Sequence, residues 1–283
     1  MEIGDWRVNL QSPISISLFM DIPVVIVCGG QGTRMRGSTS RKKELVEVGG
    51  RPILWHVMRI FSAHGFNRFV LALGYGADEI KRYFLEYEWM TRDLTLHLGE
   101  SGNGQSPAHL RDRAIHPSWE VNLVYTGLYT EKAGRIRRVA HYLNGDRFFV
   151  AYGDDVSDVD LGALVRFHCA HGKQATITAV QVELQYGVVE ADEDGLVSGF
   201  VERPQLPYWI NGGFMLFERS VLDMMADGDD ANLETQILPA LAEQRQLMIY
   251  RHHGFWQSMN TMKDTLTLER IWQENPPWKV WED

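Results

Sequence analysis

Three stretches of this chain combine residue types that bind and rearrange phosphates. The first is Gly29-Gly30-Gln31-Gly32-Thr33-Arg34, directly after Val24-Val25-Ile26-Val27. Four apolar residues without a polar break read as a fully buried strand. The glycines let the backbone turn sharply, and N–H groups gathered in such a turn point together at an anion. Thr33 adds a hydroxyl and Arg34 a fixed cation. The second stretch is the charged run Arg41-Lys42-Lys43-Glu44, which leads straight into Leu45 and Val46. A cationic loop returning so soon after Arg34 can set a lysine beside the same phosphates, and the apolar residues behind it hold Lys43 in place. The third is Tyr152-Gly153-Asp154-Asp155, at the end of an apolar run from Phe148. Ligands of open α/β sheets bind at the carboxyl ends of strands, so Asp154 is well placed for a cation. Hard oxygen ligands beside phosphates suit Mg2+.

Glu202-Arg203-Pro204 and Ile210-Asn211-Gly212-Gly213 form a fourth, weaker group, able to hold sugar hydroxyls and a phosphate. The histidines show no metal-ligand spacing, and adjacent His252 and His253 point apart in an extended chain. Zinc is not expected.

Composition narrows the class. The chain has 283 residues, with 45% hydrophobic and 23% charged, as in an ordinary globular protein. A net charge of −9 argues against a general nucleic-acid surface, so a phosphate ligand needs local cations. Cys28 and Cys169 suggest neither a disulfide framework nor a metal cluster. No apolar stretch reaches membrane-spanning length and no secretory pattern opens the chain, so the cytoplasm is the expected location.

The elements that must carry these residues alternate. Helices are predicted over Ile53–His64, Ala77–Tyr87, Arg135–Leu143 (basic on its outer face), Asp160–His171, Leu222–Met225, Glu234–Glu243 and Met262–Trp272. Strands are predicted over Phe69–Leu73, Val121–Val124, Phe148–Tyr152, Ala175–Val180 and Leu247–Tyr250. Asp158 and Asp160 look like helix caps. Repeated βα units imply a mainly parallel sheet with helices on both faces. Short strand-like pieces over Gly187–Glu190, Leu196–Glu202 and Ile210–Phe217 read as a small β-rich lid, about 183–217. Residues 1–22 read as a leader and 23–283 as one domain. The tail after 274 carries Trp278 and Trp281, which dock on their own domain or on another subunit.

Taken in order, these motifs resemble the sugar-1-phosphate nucleotidyltransferases, most closely the glucose-1-phosphate cytidylyltransferase branch. The resemblance runs from about Val24 to Trp281. It rests on Gly29–Arg34, Val46–His56, Gly74-Tyr75, Thr126-Gly127 with Gly134-Arg135, and Tyr152–Asp154. Farther along it includes Glu202–Pro204, Ile210–Phe214, Gly254–Gln257 and Pro277–Lys279. It implies a Rossmann-like fold of nucleotide-diphospho-sugar transferases and assembly into a homo-oligomer. It also implies Mg2+-dependent reaction of CTP with a sugar 1-phosphate, giving a CDP-sugar and pyrophosphate. Cys28, Gly29, Gly30, Gln31, Gly32, Thr33, Thr130, Arg135 and Gly153 fall on nucleotide-binding positions. Arg34 and Lys43 would neutralise the triphosphate, and Asp154 and Asn260 would hold Mg2+. Glu202, Arg203, Asn211 and Gly212 fall on the sugar-phosphate side.

The chain departs from this family at the site itself. Where the family has an Asp between Met and Thr as second Mg2+ ligand, this chain has Met259-Asn260-Thr261; Asn offers an oxygen but no charge. Asp155 replaces a family glycine and is a candidate for the missing carboxylate. The family's Lys-Pro-Lys-Pro appears as Arg41-Lys42-Lys43-Glu44, so this loop is expected to be less pre-set. Three alternatives follow: another nucleotide, a non-glucose phosphate or phosphonate acceptor, or a nucleotide-sugar-binding protein without turnover.

Overall fold

The computed structural model describes residues 22–30, 41–91, 93–96, 108–110, 118–226 and 228–282. Gln31, Gly32, Thr33 and Arg34 therefore lie outside the described residues, as does most of the leader. The first apolar run is β1 (Val24–Cys28), and β2 (Arg68–Leu73), β3 (Glu120–Tyr125) and β4 (Arg147–Tyr152) follow it in parallel register. Three further strands complete the sheet: β6 (Ala175–Val180), β9 (Ile210–Glu218) and β10 (Leu247–Arg251), in the order β10-β6-β9-β4-β1-β2-β3. Strand β9 runs antiparallel to both its neighbours, while β6 and β10 are parallel to each other.

Alternation along β1 sends Val25 to one face and Val24 and Ile26 to the other, and each face carries its own apolar cluster. Helix α1 (Ile53–Ala63) turns Ile53, Leu54, Val57, Met58, Ile60 and Phe61 inward against Phe149 and Phe214. The face bearing Val25 is covered by α3 (Lys132–Arg138), through Ala133 and Ile136, and by α5 (Leu238–Glu243). Helix α2 (Ala77–Leu85) follows β2, and α4 (Leu161–His171) starts at Asp160, whose carboxylate accepts from Ala163 N at 2.8 Å. Helix α6 (Met262–Glu274) begins with a reciprocal cap between Thr261 and Asp264.

The mainly parallel sheet with helices on both faces is as read from the sequence. Several local expectations differ. Ile210–Glu218 is not part of a lid: seven of its nine residues are apolar or glycine, and it inserts between β4 and β6 in the core sheet. What stands off the sheet is the hairpin of β7 (Val188–Ala191) and β8 (Val197–Val201). Asp158 caps nothing; it pairs with His252 Nε2 at 2.9 Å. The predicted helix over 135–143 starts at Lys132 and breaks after Arg138 into a short 3-10 turn, Ala140–Tyr142.

The tryptophan tail clasps its own domain. Trp278 is fully buried, stacks on Phe255 with ring centres 5.4 Å apart, and donates to His56 Nδ1 at 3.3 Å. That bond makes His56 Nε2 the protonated nitrogen, which donates to Val48 O at 2.8 Å. Trp281 packs edge-on to Trp55, ring centres 5.7 Å apart.

Candidate active site

A cavity of about 720 Å3 opens at the carboxyl ends of β1 and β4, lined among others by Gly29, Gly30, Lys43, Asp154, Asn211 and Asn260. Residues far apart in the chain meet on its floor. The Lys43 ammonium pairs with Asp154 and donates to Asn260 Oδ1 at 3.0 Å. Short strands β5 (Asp155–Ser157) and β11 (Trp256–Ser258) pair antiparallel, and Met259 N donates to Asp154 O at 3.0 Å. That ladder brings Asn260 alongside Asp154.

The cap of α6 then fixes Asn260, because Asp264 Oδ2 accepts from Asn260 N at 3.0 Å and from Thr261 N at 2.7 Å. The Asn260 amide also has a set direction. Its Nδ2 donates to Ser258 Oγ at 2.8 Å, which leaves Oδ1 facing the Lys43 ammonium. Two hard oxygens thus converge on one cation.

Asp155 lines the same cavity beside this group. Its carboxyl bonds Ser258 and closes on Gly213, where a Cβ would lie 2.4 Å from Oδ2. Burial, with the Asp154 charge behind it, pushes the Asp155 carboxyl well above the usual carboxylate range.

Arg135 lines the cavity, and its guanidinium is buried beneath the turns that end three strands rather than on the outer face of α3. Nη1 donates to Leu73 O (3.1 Å), Thr126 Oγ1 (2.9 Å) and Gly127 O (2.7 Å). Nη2 donates to Gly29 O (3.4 Å) and Leu128 O (3.3 Å). Gly29 is required by this contact, since a Cβ there would lie 2.1 Å from the guanidinium carbon. Arg135 shapes the turns beside the cavity through their carbonyls.

Other expected residues divide similarly. Thr130 lines the cavity, but its hydroxyl donates to Asp229 and accepts from Arg138. Asn211 reaches the cavity next to the Tyr152 hydroxyl, at 3.4 Å. Cys28 is buried in the core and does not line the cavity, because the strand turns its thiol inward. Gly153 packs against Glu44 Cγ, 2.9 Å from where a Cβ would stand, and Gly212 O accepts from Trp256 Nε1 at 2.7 Å. Glu202 and Arg203 are exposed beside the β7–β8 hairpin and do not line the cavity.

A model of the family described as nucleotidyl transferase matches residues 23–276 of this chain. The chain belongs to that family. It is 42% identical to the glucose-1-phosphate cytidylyltransferase of Salmonella typhi, covering 91% of this chain and 99% of that one. It is 36% identical to the probable glucose-1-phosphate cytidylyltransferase of Bacillus subtilis, with the same coverage. Among solved structures, HddC from Yersinia pseudotuberculosis complexed with GMP-PN superposes with a TM-score of 0.63. It shares 20% identity over 88% of this chain and 98% of that one, a likeness of fold.

Within this nucleotidyl transferase the sequence reading missed a polar wall facing Asn211. Tyr152 Oη donates to Glu234 Oε1 at 2.6 Å, Lys132 pairs with the same carboxylate, and the Lys132 ammonium lies 4.6 Å from the Tyr152 ring centre. Asn232 sets up Glu234 by accepting from its N–H at 3.0 Å. The signal was an N-cap, Asn232 followed by Leu233, directly ahead of the helix read over Glu234–Glu243.

Proposed function

We propose that this enzyme transfers the cytidylyl group of CTP to a sugar 1-phosphate, glucose 1-phosphate or a close analogue. A phosphate oxygen of the sugar attacks the α-phosphorus of CTP. The new P–O bond forms as the bond to the β-phosphate bridging oxygen breaks, and pyrophosphate leaves. No protein nucleophile is needed. What the protein supplies is alignment and charge neutralisation.

The observation that carries this reading is the Lys43–Asp154–Asn260 group on the cavity floor. Lys43 supplies a cation for the phosphates, and Arg34 is proposed for the same task from the sequence alone. The oxygens of Asp154 and Asn260, already converging on one cation, fit Mg2+, which takes one or two protein oxygens beside phosphate oxygens. When bound, Mg2+ would neutralise phosphate charge. The polar wall of Lys132, Tyr152 and Asn211 faces the acceptor side. The cytidylyltransferase relatives support CTP as the nucleotide.

Two broader readings accompany this one. Free Cys28 and Cys169 agree with a cytoplasmic enzyme. Exposed Val189, Leu196, Phe200 and Val201 on the β7–β8 hairpin agree with a homo-oligomer in which a second copy covers them. Light scattering tests the assembly.

Pyrophosphate release tests the activity, with CTP, UTP, ATP and GTP each paired with a panel of sugar 1-phosphates. CTP-selective release supports the proposal, and release with another nucleotide alone overturns the choice of base. Asn260 favours a second reading, a nucleotide-sugar sensor; selective binding by calorimetry with no pyrophosphate from any pair would establish it.

A further inference from the structure

Lys43 is flanked by two buried charged residues, of which Glu44 also borders the cavity. Lys42 and Glu44 have side chains only 2% and 9% exposed, and Lys42 Nζ stands 3.2 Å from Glu44 Oε2. Around them lie the turns that end three different strands. The Lys42 ammonium donates to Gly30 O, after β1, and sits 5.6 Å from the Tyr75 ring centre, after β2. Its backbone N–H donates to Glu79 Oε2 in α2 at 3.1 Å. Glu44 Cγ packs beneath Gly153, after β4, at a distance that admits no side chain there. The charged run is therefore tied down on both sides of Lys43 without the family's prolines.

A buried ion pair is a poor source of stability. Removing two charges from water costs about as much as their attraction returns, and apolar pairs of similar volume often replace them without loss. Geometry is what this pair supplies. With Lys42 and Glu44 both turned inward, the single 3-10 turn at Lys43–Leu45 delivers the intervening Lys43 side chain to Asp154 and Asn260.

We propose that the buried Lys42–Glu44 pair is a positioning device that aims the Lys43 ammonium across the cavity floor and locks the Gly30 turn beside it. The proposal rests on Lys43 acting on the phosphates, as argued above.

Three variants test it: Glu44→Gln, which keeps the shape and loses the charge; Lys42→Met; and the double variant Lys42→Met with Glu44→Leu. Each is measured by thermal melt, by kcat and KM for CTP and glucose 1-phosphate, and by the labelling rate of Lys43 with trinitrobenzenesulfonate, read on its peptide by mass spectrometry. The single variants should melt lower, because each strands a buried charge. The double variant should recover the melting temperature while kcat stays down about 10- to 100-fold, the cost of a misplaced group. Lys43 should label several-fold faster in all three. Recovery of kcat together with melting temperature would show that the pair is only structural and overturn the proposal. An unchanged Lys43 labelling rate in the folded Glu44→Gln variant would overturn it equally. The labelling needs no turnover, so a wild-type protein inactive with every substrate would sink the proposed activity while leaving this test intact.

Discussion

Replacing Arg135 with methionine separates a scaffold role from a ligand role. The guanidinium serves five acceptors, but they do not depend on it equally. Leu73 O also accepts from Thr126 N and Thr126 Oγ1, both at 2.8 Å, and Gly29 O accepts from Tyr75 N at 3.3 Å. Gly127 O and Leu128 O take their described side-chain hydrogen bonds from Arg135 alone. Thr126 Oγ1 is buried, whereas Gly127 is only partly buried and Leu128 is exposed, so water can replace part of what is lost. At about 1–3 kcal/mol for a buried acceptor left unpaired, the variant should lose about 1–3 kcal/mol. For a chain of this size that is a fall in melting temperature on the order of 2–10 °C. Lysine should not rescue it, since one ammonium cannot span acceptors spread over three turns. Urea unfolding followed by tryptophan fluorescence gives the stability, and calorimetric titration with CTP gives the affinity. The Gly29 turn should slacken, so affinity should fall together with stability. Full stability combined with lost CTP affinity would refute the reasoning, because Arg135 would then act on the ligand directly.

Further outcomes are expected at three places: the tail, the buried histidines and the cavity floor. Trp278→Ala empties a fully buried site and takes the donor from His56 Nδ1, so urea unfolding should show a loss of about 3–5 kcal/mol. Deleting 276–283 should likewise lower the melting temperature without changing the mass seen by light scattering. Burial depresses both His56 and His168 to about 4, from an ordinary value of 6.5. The unfolded chain thus binds these protons first, and stability should be full above pH 6.5 and fall as the pH drops toward 4. The loss approaches about 3 kcal/mol per histidine at about 1.4 kcal/mol per pKa unit. Melts between pH 7 and 4 check this, and a His168→Gln variant with the same pH slope as wild type would contradict it. Finally, Asn260→Asp adds a charge to the oxygen pair and should tighten Mn2+ binding about tenfold by electron paramagnetic resonance. Asp154→Asn should weaken that binding, and Asp155→Asn, whose carboxyl faces Ser258, should change it less.

Local pattern was enough for much of this protein. An uninterrupted, β-branched apolar run such as Val24–Val27 reads as a strand buried on both faces, and a glycine turn after it marks a strand end where ligands bind. Lys43 and Asp154 were legible for that reason: each follows from its neighbours in the chain. Other features depended on partners that no local pattern supplies. A basic residue on a short helix reads as solvent-facing, yet Arg135 turns inward because three strand-end turns present carbonyls there. Ile210–Glu218 reads locally as a strand, and only the open edges of β4 and β6 decide that it joins the central sheet. The tail tryptophans could dock on self or on a partner until His56 and Phe255 offered a site in the same chain. Lys42-Lys43-Glu44 shows the division most plainly. The sequence alone determined that three charges stand together ahead of an apolar stretch. The tertiary structure decided which of them reaches Asp154 and Asn260, because burying a charge is tolerable only where a counter-charge and hydrogen-bond partners await it. For Lys42 and Glu44 those partners are each other and the Gly30 carbonyl, brought together only by the folded sheet.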